Sequence, residues 1–239
     1  MLSVVIPALN AEASLGQALA ALVPAAVDGL VRQVIVVDAH SVDRTAAIAE
    51  SAGATVLTSG EGRGQQLLEG ATRARFPWLL FLHADTVLEP GWEREAEKFM
   101  ESVDKSAIPL AAAFRFALDD RGVRPRILET LVACRCALLR LPYGDQGLLV
   151  PRPLYDQIGG YSAMPLMEDV DIVRRLGWRR LRLLNARAVT SAERYRREGY
   201  LRRSARNLLC LTLYGLRVPP GVIRRLYGDR GAGASLNSA

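Results

Sequence analysis

Short apolar runs alternate with amphipathic stretches along the first half of the chain. Four of these runs are four to six residues long and rich in Val, Leu and Ile, which is typical of strands buried on both faces. They are residues 2–7, 34–38, 54–57 and 78–83. The intervening residues 11–22, 44–52 and 64–75 have the spacing of helices. Strands that alternate with helices predict right-handed βαβ units and a parallel sheet with helices on both faces.

The second half of the chain has a less regular pattern. The predicted helices are 124–140, 168–176 and one that begins at Pro90; the predicted strands are 110–118, 147–150 and 180–185. From residue 196 the pattern is helical, with a break at Pro219–Pro220. We therefore expect an α/β body over 1–195, with a mostly parallel central sheet flanked by helices. A basic amphipathic helical extension over 196–239 follows it and is not expected to be an independent domain.

The composition is that of an ordinary globular protein with one large core, because the 239 residues are 50% hydrophobic and 23% charged. This excludes a wholly disordered or collagen-like chain. No apolar run reaches the roughly 18 residues of a membrane span, and the N-terminal residues lack a signal-peptide pattern, so a cytoplasmic protein is expected.

Three cysteines without a CxxC pair favour reduced thiols, and Cys134 and Cys136 are expected to be core or partly buried.

The net charge of +6 is the difference between two opposed parts of the chain. Residues 1–173 contain 22 acidic and 15 basic residues, whereas residues 174–239 contain 3 acidic and 16 basic ones. The basic part also contains the apolar run 208–216, which leaves three interpretations open. It contacts an anionic membrane surface, it packs on the body with its arginines outward, or it contacts a second copy of the chain. No nucleic acid partner is expected, because no basic patch interleaved with aromatic residues is present.

Polar residues follow each of the first four predicted strands. The candidates at these strand ends are Pro7, Asn10 and Glu12 at the first strand, Asp38 and Ser41 at the second, the loop 60–64 after the third, and His83, Ala84 and Asp85 at the fourth; all but Pro7 and Ala84 are polar or lie in the polar loop. Ligands of open α/β sheets bind at the carboxyl ends of the strands, so a binding site is expected at this edge. The glycine-rich loop lacks the third glycine of GxGxxG and follows the third strand, which disfavours a dinucleotide-binding dehydrogenase.

Two acidic segments are candidates for catalysis. Asp85 ends a hydrophobic strand, and Mg²⁺ or Mn²⁺ prefers one or two carboxylates together with substrate phosphates. Asp85 is therefore a candidate metal ligand with His83 beside it, although it could also only cap the next turn. Glu168 and Asp169 open a predicted helix, where acidic residues are favoured by the helix dipole. The alternative is that Asp169 is a general base that deprotonates an incoming hydroxyl group.

Taken in order, five segments resemble a known family. They are SVVIPALNAE, IVVDAHSVDRTA, GRGQQLLEGA, LLFLHADTVLEPGW and LMEDVDIVRRL. Together they resemble the family 2 glycosyltransferases with the GT-A fold, which is a Rossmann-like nucleotide-diphospho-sugar transferase fold. The HADT form of the metal motif, GDQG at residues 144–147 and SAERYRREG at 191–199 resemble a subgroup of small bacterial members. The resemblance covers roughly residues 2–228.

The resemblance implies a nucleotide-diphospho-sugar donor, a divalent cation (Mg²⁺ or Mn²⁺) and an unknown hydroxyl acceptor. The implied donor-binding residues are Pro7, Asn10, Glu12, Asp38, Ser41, Arg63, Ala84, Asp85 and Gln146. Asp85 would hold the cation with His83, and Asp169, with Glu168, would be catalytic in an inverting transfer. Gln146 is expected to contact sugar hydroxyls, unless it is only a turn residue. The family often has two aspartates after the second strand, and Asp38-Ala39 here leaves the nucleobase open.

Two other functions fit part of the pattern. A non-catalytic nucleotide-sugar binding protein would keep the donor site without turnover, and the acidic pair Glu168 and Asp169 argues against it. A sugar-phosphate nucleotidyltransferase would carry a basic residue in a glycine-rich loop directly after the first strand. The chain has PALNAEASLG at that position, without Lys or Arg, which disfavours this enzyme class.

Overall fold

One mixed sheet of eight strands organises the protein in the computed structural model, which describes residues 1–106, 108–139 and 142–227. The strands are β1 Leu2–Ala8, β2 Val31–Asp38, β3 Thr55–Thr58, β4 Trp78–Phe81, β5 Thr86–Leu88, β6 Ala111–Leu118, β7 Leu148–Pro151 and β8 Leu181–Thr190. Their order in the sheet is β3-β2-β1-β4-β7-β6-β8-β5. The four strands predicted in the first half are thus adjacent in the sheet.

Parallel pairing dominates the half of the sheet that the first strands form. β1 lies between β2 and β4 and is parallel to both, and β3 is parallel to β2. Beyond β4 the direction alternates, because β7 is antiparallel to both β4 and β6. β6 and β8 are again parallel, and β5 pairs with β8 in the antiparallel sense. The prediction of a mostly parallel α/β sheet is confirmed, while the alternation pattern did not predict β5, which has only three residues.

Eleven helices connect or flank these strands in the described residues. They are α1 Leu15–Ala20, α2 Val23–Val27, α3 Thr45–Ser51, α4 Arg63–Arg73, α5 Trp92–Asp104, α6 Val123–Leu139, α7 Arg152–Gln157, α8 Glu168–Leu176, α9 Glu193–Glu198, α10 Tyr200–Gly215 and α11 Pro220–Tyr227. Of the helix predicted over 11–22 only residues 15–20 are helical, as α1, and the separate helix α2 follows with Pro24 in its first turn, where the missing N–H is tolerated. α7 was not predicted, and α8 has the predicted bounds.

Successive residues of β1 point to opposite faces of the sheet, and helices cover both faces. All seven residues of this strand are buried. Val4 and Ile6 belong to a core with Trp92 of α5, whereas Val5 lies in a second core with Leu67 of α4 and Ile172 of α8. The unbroken apolar run at the N-terminus therefore has the predicted cause, which is burial on both sides.

The basic C-terminal part packs on the body through α10 and α11. Cys210 and Ile223 are both fully buried and form a cluster with Leu166, Met167 and Val170 at the start of α8. Packing on the body is thus the arrangement of the described part of the extension, whose residues 228–239 lie outside the described ranges. Contact with a membrane or a second copy stays a prediction. None of the helices described is long and apolar enough to cross a membrane.

The two neighbouring cysteines of α6 differ in their exposure. Cys136 is buried, as expected, and it packs with Phe116 and Val132. Cys134 is exposed, so the expectation that it is core or partly buried is wrong. The two residues lie two positions apart on a helix with about 3.6 residues per turn and therefore point to different sides.

Candidate active site

A pocket opens where β4 ends and the start of α8 approaches it. The turn before β7, the end of β8 and one face of α10 complete its walls. The residues that were predicted from the sequence and line it are Arg63, His83, Asp85, Glu168 and Asp169. The structure therefore brings together the metal-binding and general-base candidates, although 84 residues separate Asp85 from Asp169 in the sequence.

Asp169 is held by backbone hydrogen bonds to both of its carboxylate oxygens. The N–H of Gly144 donates to Oδ2 at 2.8 Å, and the N–H of Val170 donates to Oδ1 at 2.8 Å. Gly144 begins a single 3-10 turn, Gly144–Gln146, directly before β7. Since these bonds fix the carboxylate from two elements, its orientation toward the pocket is set before a ligand binds. Glu168 beside it is buried, with 2% of its surface exposed.

His83 lies against Gly144 on the other side of this turn. A Cβ atom at position 144 would be only 2.6 Å from Nε2 of His83, so the absent side chain leaves the space that the imidazole occupies. Burial, with the nearby charge of Arg63, lowers the pKa of His83 to about 4. The ring is therefore neutral near pH 7, and a neutral imidazole is the form that ligates metals.

Asp145 adds a carboxylate that the sequence analysis did not select. Its Oδ1 is buried and has no hydrogen-bond partner among the described residues. Burial is the main cause that raises its pKa to about 6, and the charges of Asp169 and Asp85 add to the effect. Asp145 belongs to the GDQG segment, in which the sequence predicts a ligand contact only for Gln146. An acidic residue beside the selected glutamine was the available signal.

Gln146 lies inside the protein and outside the pocket lining. Only 1% of its surface is exposed, and its Nε2 donates to the carbonyl of Phe114 at 2.9 Å. Its Oε1 accepts from the N–H of Tyr143 at 3.3 Å and from Sγ of Cys136 at 3.3 Å. These bonds tie the 3-10 turn to β6 and α6, which supports the interpretation as a turn residue. A contact of Gln146 with sugar hydroxyls stays a prediction.

The remaining donor-binding candidates lie at the same sheet edge but do not line the pocket. Ser41 connects two loops, because its Oγ accepts from the N–H of Asn10 at 2.8 Å and its own N–H donates to Oδ2 of Asp38 at 3.0 Å. Oε2 of Glu12 accepts from the N–H of Arg44 at 2.8 Å. The loops after β1 and β2 are therefore held in one arrangement. Two further candidates are buried at strand ends, namely Pro7 and Ala84.

The glycine-rich loop before α4 places Arg63 at the pocket. Gly62 has a φ of +131°, a backbone conformation that other residues rarely adopt. Gly64 packs so closely that a Cβ atom would lie 2.2 Å from the carbonyl oxygen of Ser162. Gly62 thus serves the backbone conformation and Gly64 serves a close approach of backbone to backbone, while the Arg63 side chain between them lines the pocket.

The opposite wall comes from the C-terminal part, and sequence reasoning missed it. Arg203, Asn207 and Leu211 lie four residues apart on one face of α10 and line the pocket. Arg203 is buried, with its Nη1 donating to Oε1 of Glu198 at 3.2 Å. The four-residue spacing was present in the sequence as a signal. The extension interpreted as a basic tail is therefore part of the site.

A divalent cation would need ligands from a substrate in this site. Within residues 1–106, 108–139 and 142–227, no group of three or more His, Cys, Asp or Glu side chains is arranged to hold a metal ion by itself. The neutral imidazole of His83, the carboxylate of Asp85 and the unpartnered Oδ1 of Asp145 are nevertheless suitable donors. Mg²⁺ commonly takes one or two protein carboxylates and completes its coordination with substrate phosphates and water. The residues present fit such an ion.

Comparison with protein families and solved structures identifies relatives. The family model described as glycosyl transferase family 2 matches residues 3–165. A search of curated proteins finds no match. One similar solved structure is glucosyl-3-phosphoglycerate synthase from Mycobacterium tuberculosis, crystallised with Mn²⁺, uridine diphosphate and glucosyl-3-phosphoglycerate. It is 21% identical to this chain, and the match covers 92% of this chain and 81% of the synthase, with a TM-score of 0.61. S. aureus TarS 1–349 is 15% identical over 95% of this chain and 69% of its own, with a TM-score of 0.58. At these identities the likeness shows the shared GT-A fold.

Proposed function

Because the chain belongs to glycosyl transferase family 2, we propose that it transfers a sugar from a nucleotide-diphospho-sugar donor to a hydroxyl group of an acceptor. The transfer uses a divalent cation and inverts the anomeric carbon in a single displacement. The observation that supports this most directly is the pocket at the carboxyl edge of the sheet. It joins Asp85 and His83, as cation ligands, to Asp169, as a general base.

Asp85 and His83 would hold Mg²⁺ or Mn²⁺. Asp145 lines the same pocket and would add a further carboxylate beside the cation. Neutralisation of the negative charge on the departing nucleoside diphosphate is the chemistry that the cation supplies when bound. Arg63 lines the same pocket and adds a fixed positive charge for the diphosphate. The mycobacterial synthase has been crystallised with Mn²⁺ or with Mg²⁺ together with uridine diphosphate, which supports the proposal.

Asp169 would take the proton of the acceptor hydroxyl during displacement. Two backbone N–H groups hold its oxygens, so the carboxylate does not have to reorganise before it accepts a proton. The proton would go to a carboxylate oxygen while the hydroxyl oxygen bonds to the anomeric carbon and the bond to the diphosphate breaks. Glu168, the first residue of α8, would support this residue from its neighbouring position in the first turn.

The loops after β1 and β2 would bind the nucleoside. Their mutual hydrogen bonds through Asn10, Ser41 and Asp38 keep them in one arrangement, which reduces the entropy lost on binding. The backbone at Pro7, Glu12 and Ala84 would line the same edge. The nucleobase is open, since Asp38 at the end of β2 is followed by Ala39 and not by a second aspartate.

Calorimetric titration with UDP, GDP, ADP and dTDP, each with and without Mn²⁺, tests the proposal. We expect at least one nucleotide to bind more tightly with the cation. Asp85→Asn should remove the cation-dependent part, whereas Glu89→Gln should keep it, because Glu89 forms a surface ion pair with Arg187 at 3.4 Å. Absence of binding for all four nucleotides, or equal cation dependence in both variants, would overturn the proposal.

A further inference from the structure

Three polar atoms in the pocket are buried without a hydrogen-bond partner among the described residues. They are the hydroxyl of Tyr143, Oδ1 of Asp145 and Oδ1 of Asn207, and all three residues line the pocket. A buried polar atom without a partner costs its full desolvation free energy, so native proteins rarely retain several in one place. Their concentration in one pocket indicates groups that pair with a ligand.

Two of these atoms lie on the side of the pocket that α10 forms. Tyr143 packs against the cluster that holds Leu166, Met167 and Val170, and Leu211 packs against the same cluster one turn beyond Asn207. Tyr143 also precedes Gly144, whose N–H donates to Asp169. The proposed general base is thus close to Tyr143 and lines the same pocket as Asn207, while the cation ligands of the proposed donor site come from the end of β4.

The chemistry of the two groups suits hydroxyl ligands. The guanidinium of Arg135 lies 3.5 Å from the centre of the Tyr143 ring and fixes it from one face. The Tyr143 hydroxyl both donates and accepts hydrogen bonds. The amide of Asn207 likewise offers an acceptor and donors. Neutral groups of this kind pair with hydroxyls without a charge requirement.

We propose that Tyr143 and Asn207 form the acceptor subsite and that the acceptor is a small polyhydroxylated compound. Its hydroxyls pair with the two buried groups, while another of its hydroxyls reaches Asp169. Leu211 and Val170 line the same pocket and contact the carbon skeleton. This inference rests on the proposed function, because it presupposes that Asp169 accepts the proton of the acceptor.

Saturation-transfer-difference NMR on the full chain with glycerol, glucose and myo-inositol as probes tests the subsite. Each probe is titrated with UDP and Mg²⁺ present and again without them, so that its binding can be measured independently of the nucleotide. We expect at least one probe to bind the unaltered chain. Tyr143→Phe and Asn207→Leu should each lower the affinity for that probe by about two- to tenfold, which is the effect of losing one neutral hydrogen bond. Their affinity for UDP should change by less than about twofold, because neither residue belongs to the proposed donor site.

Thermal unfolding separates a binding role from a structural one. Tyr143→Phe and Asn207→Leu should unfold at the same or a higher temperature than the unaltered chain, because each removes an unpartnered buried atom. Tyr200→Phe is the matched control, since the Tyr200 hydroxyl donates to Oδ2 of Asp120 at 2.5 Å outside the pocket. It should lower the unfolding temperature and leave probe binding unchanged.

Three results would overturn the inference. The first is that UDP binds but none of the probes does. The second is that both pocket variants bind the probes with the affinity of the unaltered chain. The third is that both variants lose as much affinity for UDP as for the probes, which would place the two residues against the donor. Failure of UDP and of the other nucleotides to bind would instead contradict the proposed function, and the probe titrations without nucleotide would still report on the subsite.

Discussion

The N–H of Gly144 donates a 2.8 Å hydrogen bond to Oδ2 of Asp169, and this bond joins the turn before β7 to the first turn of α8. His83 packs against the same glycine. The proposed base and one proposed cation ligand are therefore positioned by a single residue that has no side chain. Their separation depends on how closely the two elements approach each other at this point.

Gly144→Ala should reduce both stability and activity. The added methyl group would lie 2.6 Å from Nε2 of His83, so the imidazole must move, whereas the 3.4 Å to Cβ of Asp169 is an ordinary van der Waals contact. Overpacking of this kind costs about 1–3 kcal/mol, to be measured by urea unfolding. Displacement of catalytic groups by about 1 Å can cost about 100-fold in rate, to be measured as release of nucleoside diphosphate.

Gly221→Ala is the matched control for this change. Gly221 lies in α11, and no neighbouring atom lies within 4 Å of the position of its Cβ. The replacement should be neutral or should stabilise the chain by about 0.4–1 kcal/mol, since it restricts the unfolded state. Equal effects of the two replacements would contradict the role assigned to Gly144.

Asp169→Asn should separate catalysis from folding. The amide oxygen can still accept the hydrogen bond from Gly144, but the amide NH2 cannot accept the one from Val170. The loss of this second bond should cost about 1–3 kcal/mol of stability, and the affinity for nucleotide should change little. Transfer should fall by about 100- to 10,000-fold, because the amide cannot take up the proton of the acceptor.

Asp171→Asn is the control for this change, two residues away. Asp171 forms an ion pair with Arg175 at 2.5 Å, so its loss should affect stability more than rate. Transfer that persists in Asp169→Asn at the original rate would exclude Asp169 as the base.

The positions of the strand ends could be predicted from the sequence, and so could the residues that follow them. Asp85 and His83 come directly after the apolar run that forms β4, and parallel strands bring such residues to one edge. The orientation of Asp145 and Gln146 could not be predicted. Both lie in one 3-10 turn, and only contacts from α6 and β6, which lie outside this turn, place the glutamine inside and the carboxylate toward the pocket.

Asp145→Asn should stabilise the cation-free chain in a pH-dependent way. The pKa of Asp145 is raised from 3.8 to about 6, so the folded state binds this proton more tightly than the unfolded state. Ionisation therefore costs stability as the pH rises from about 4 to 6, and the full cost, at most about 3 kcal/mol, is present above that range. Urea unfolding in the presence of a chelator should show equal stability of variant and original at pH 4, and a more stable variant at pH 8. A difference that does not change between these pH values would contradict the assignment.

The packing of the C-terminal helices against the pocket could not be predicted from the sequence either. Hydrophobic spacing predicts that α10 has an apolar face, but it does not say which surface covers that face. The extension has apolar residues on more than one side. Leu201 and Leu208 are exposed, whereas Cys210 is fully buried. Only the tertiary contact with the start of α8 distinguishes packing on the body from contact with a membrane surface or with a second copy of the chain.

Ile223→Ala tests whether the extension belongs to the catalytic body. Ile223 of α11 is fully buried against Leu166, Met167 and Val170, which flank Asp169 along the chain. The cavity left by the truncation should cost about 2–5 kcal/mol in urea unfolding. Val222→Ala removes the neighbouring apolar side chain, which is 46% exposed, and should cost less than about 1 kcal/mol. If the extension were only an appended membrane or dimer contact, both changes would leave the unfolding of the body unaltered. A large loss confined to Ile223→Ala, with weaker binding of nucleotide or acceptor probes, would show that these helices support the pocket.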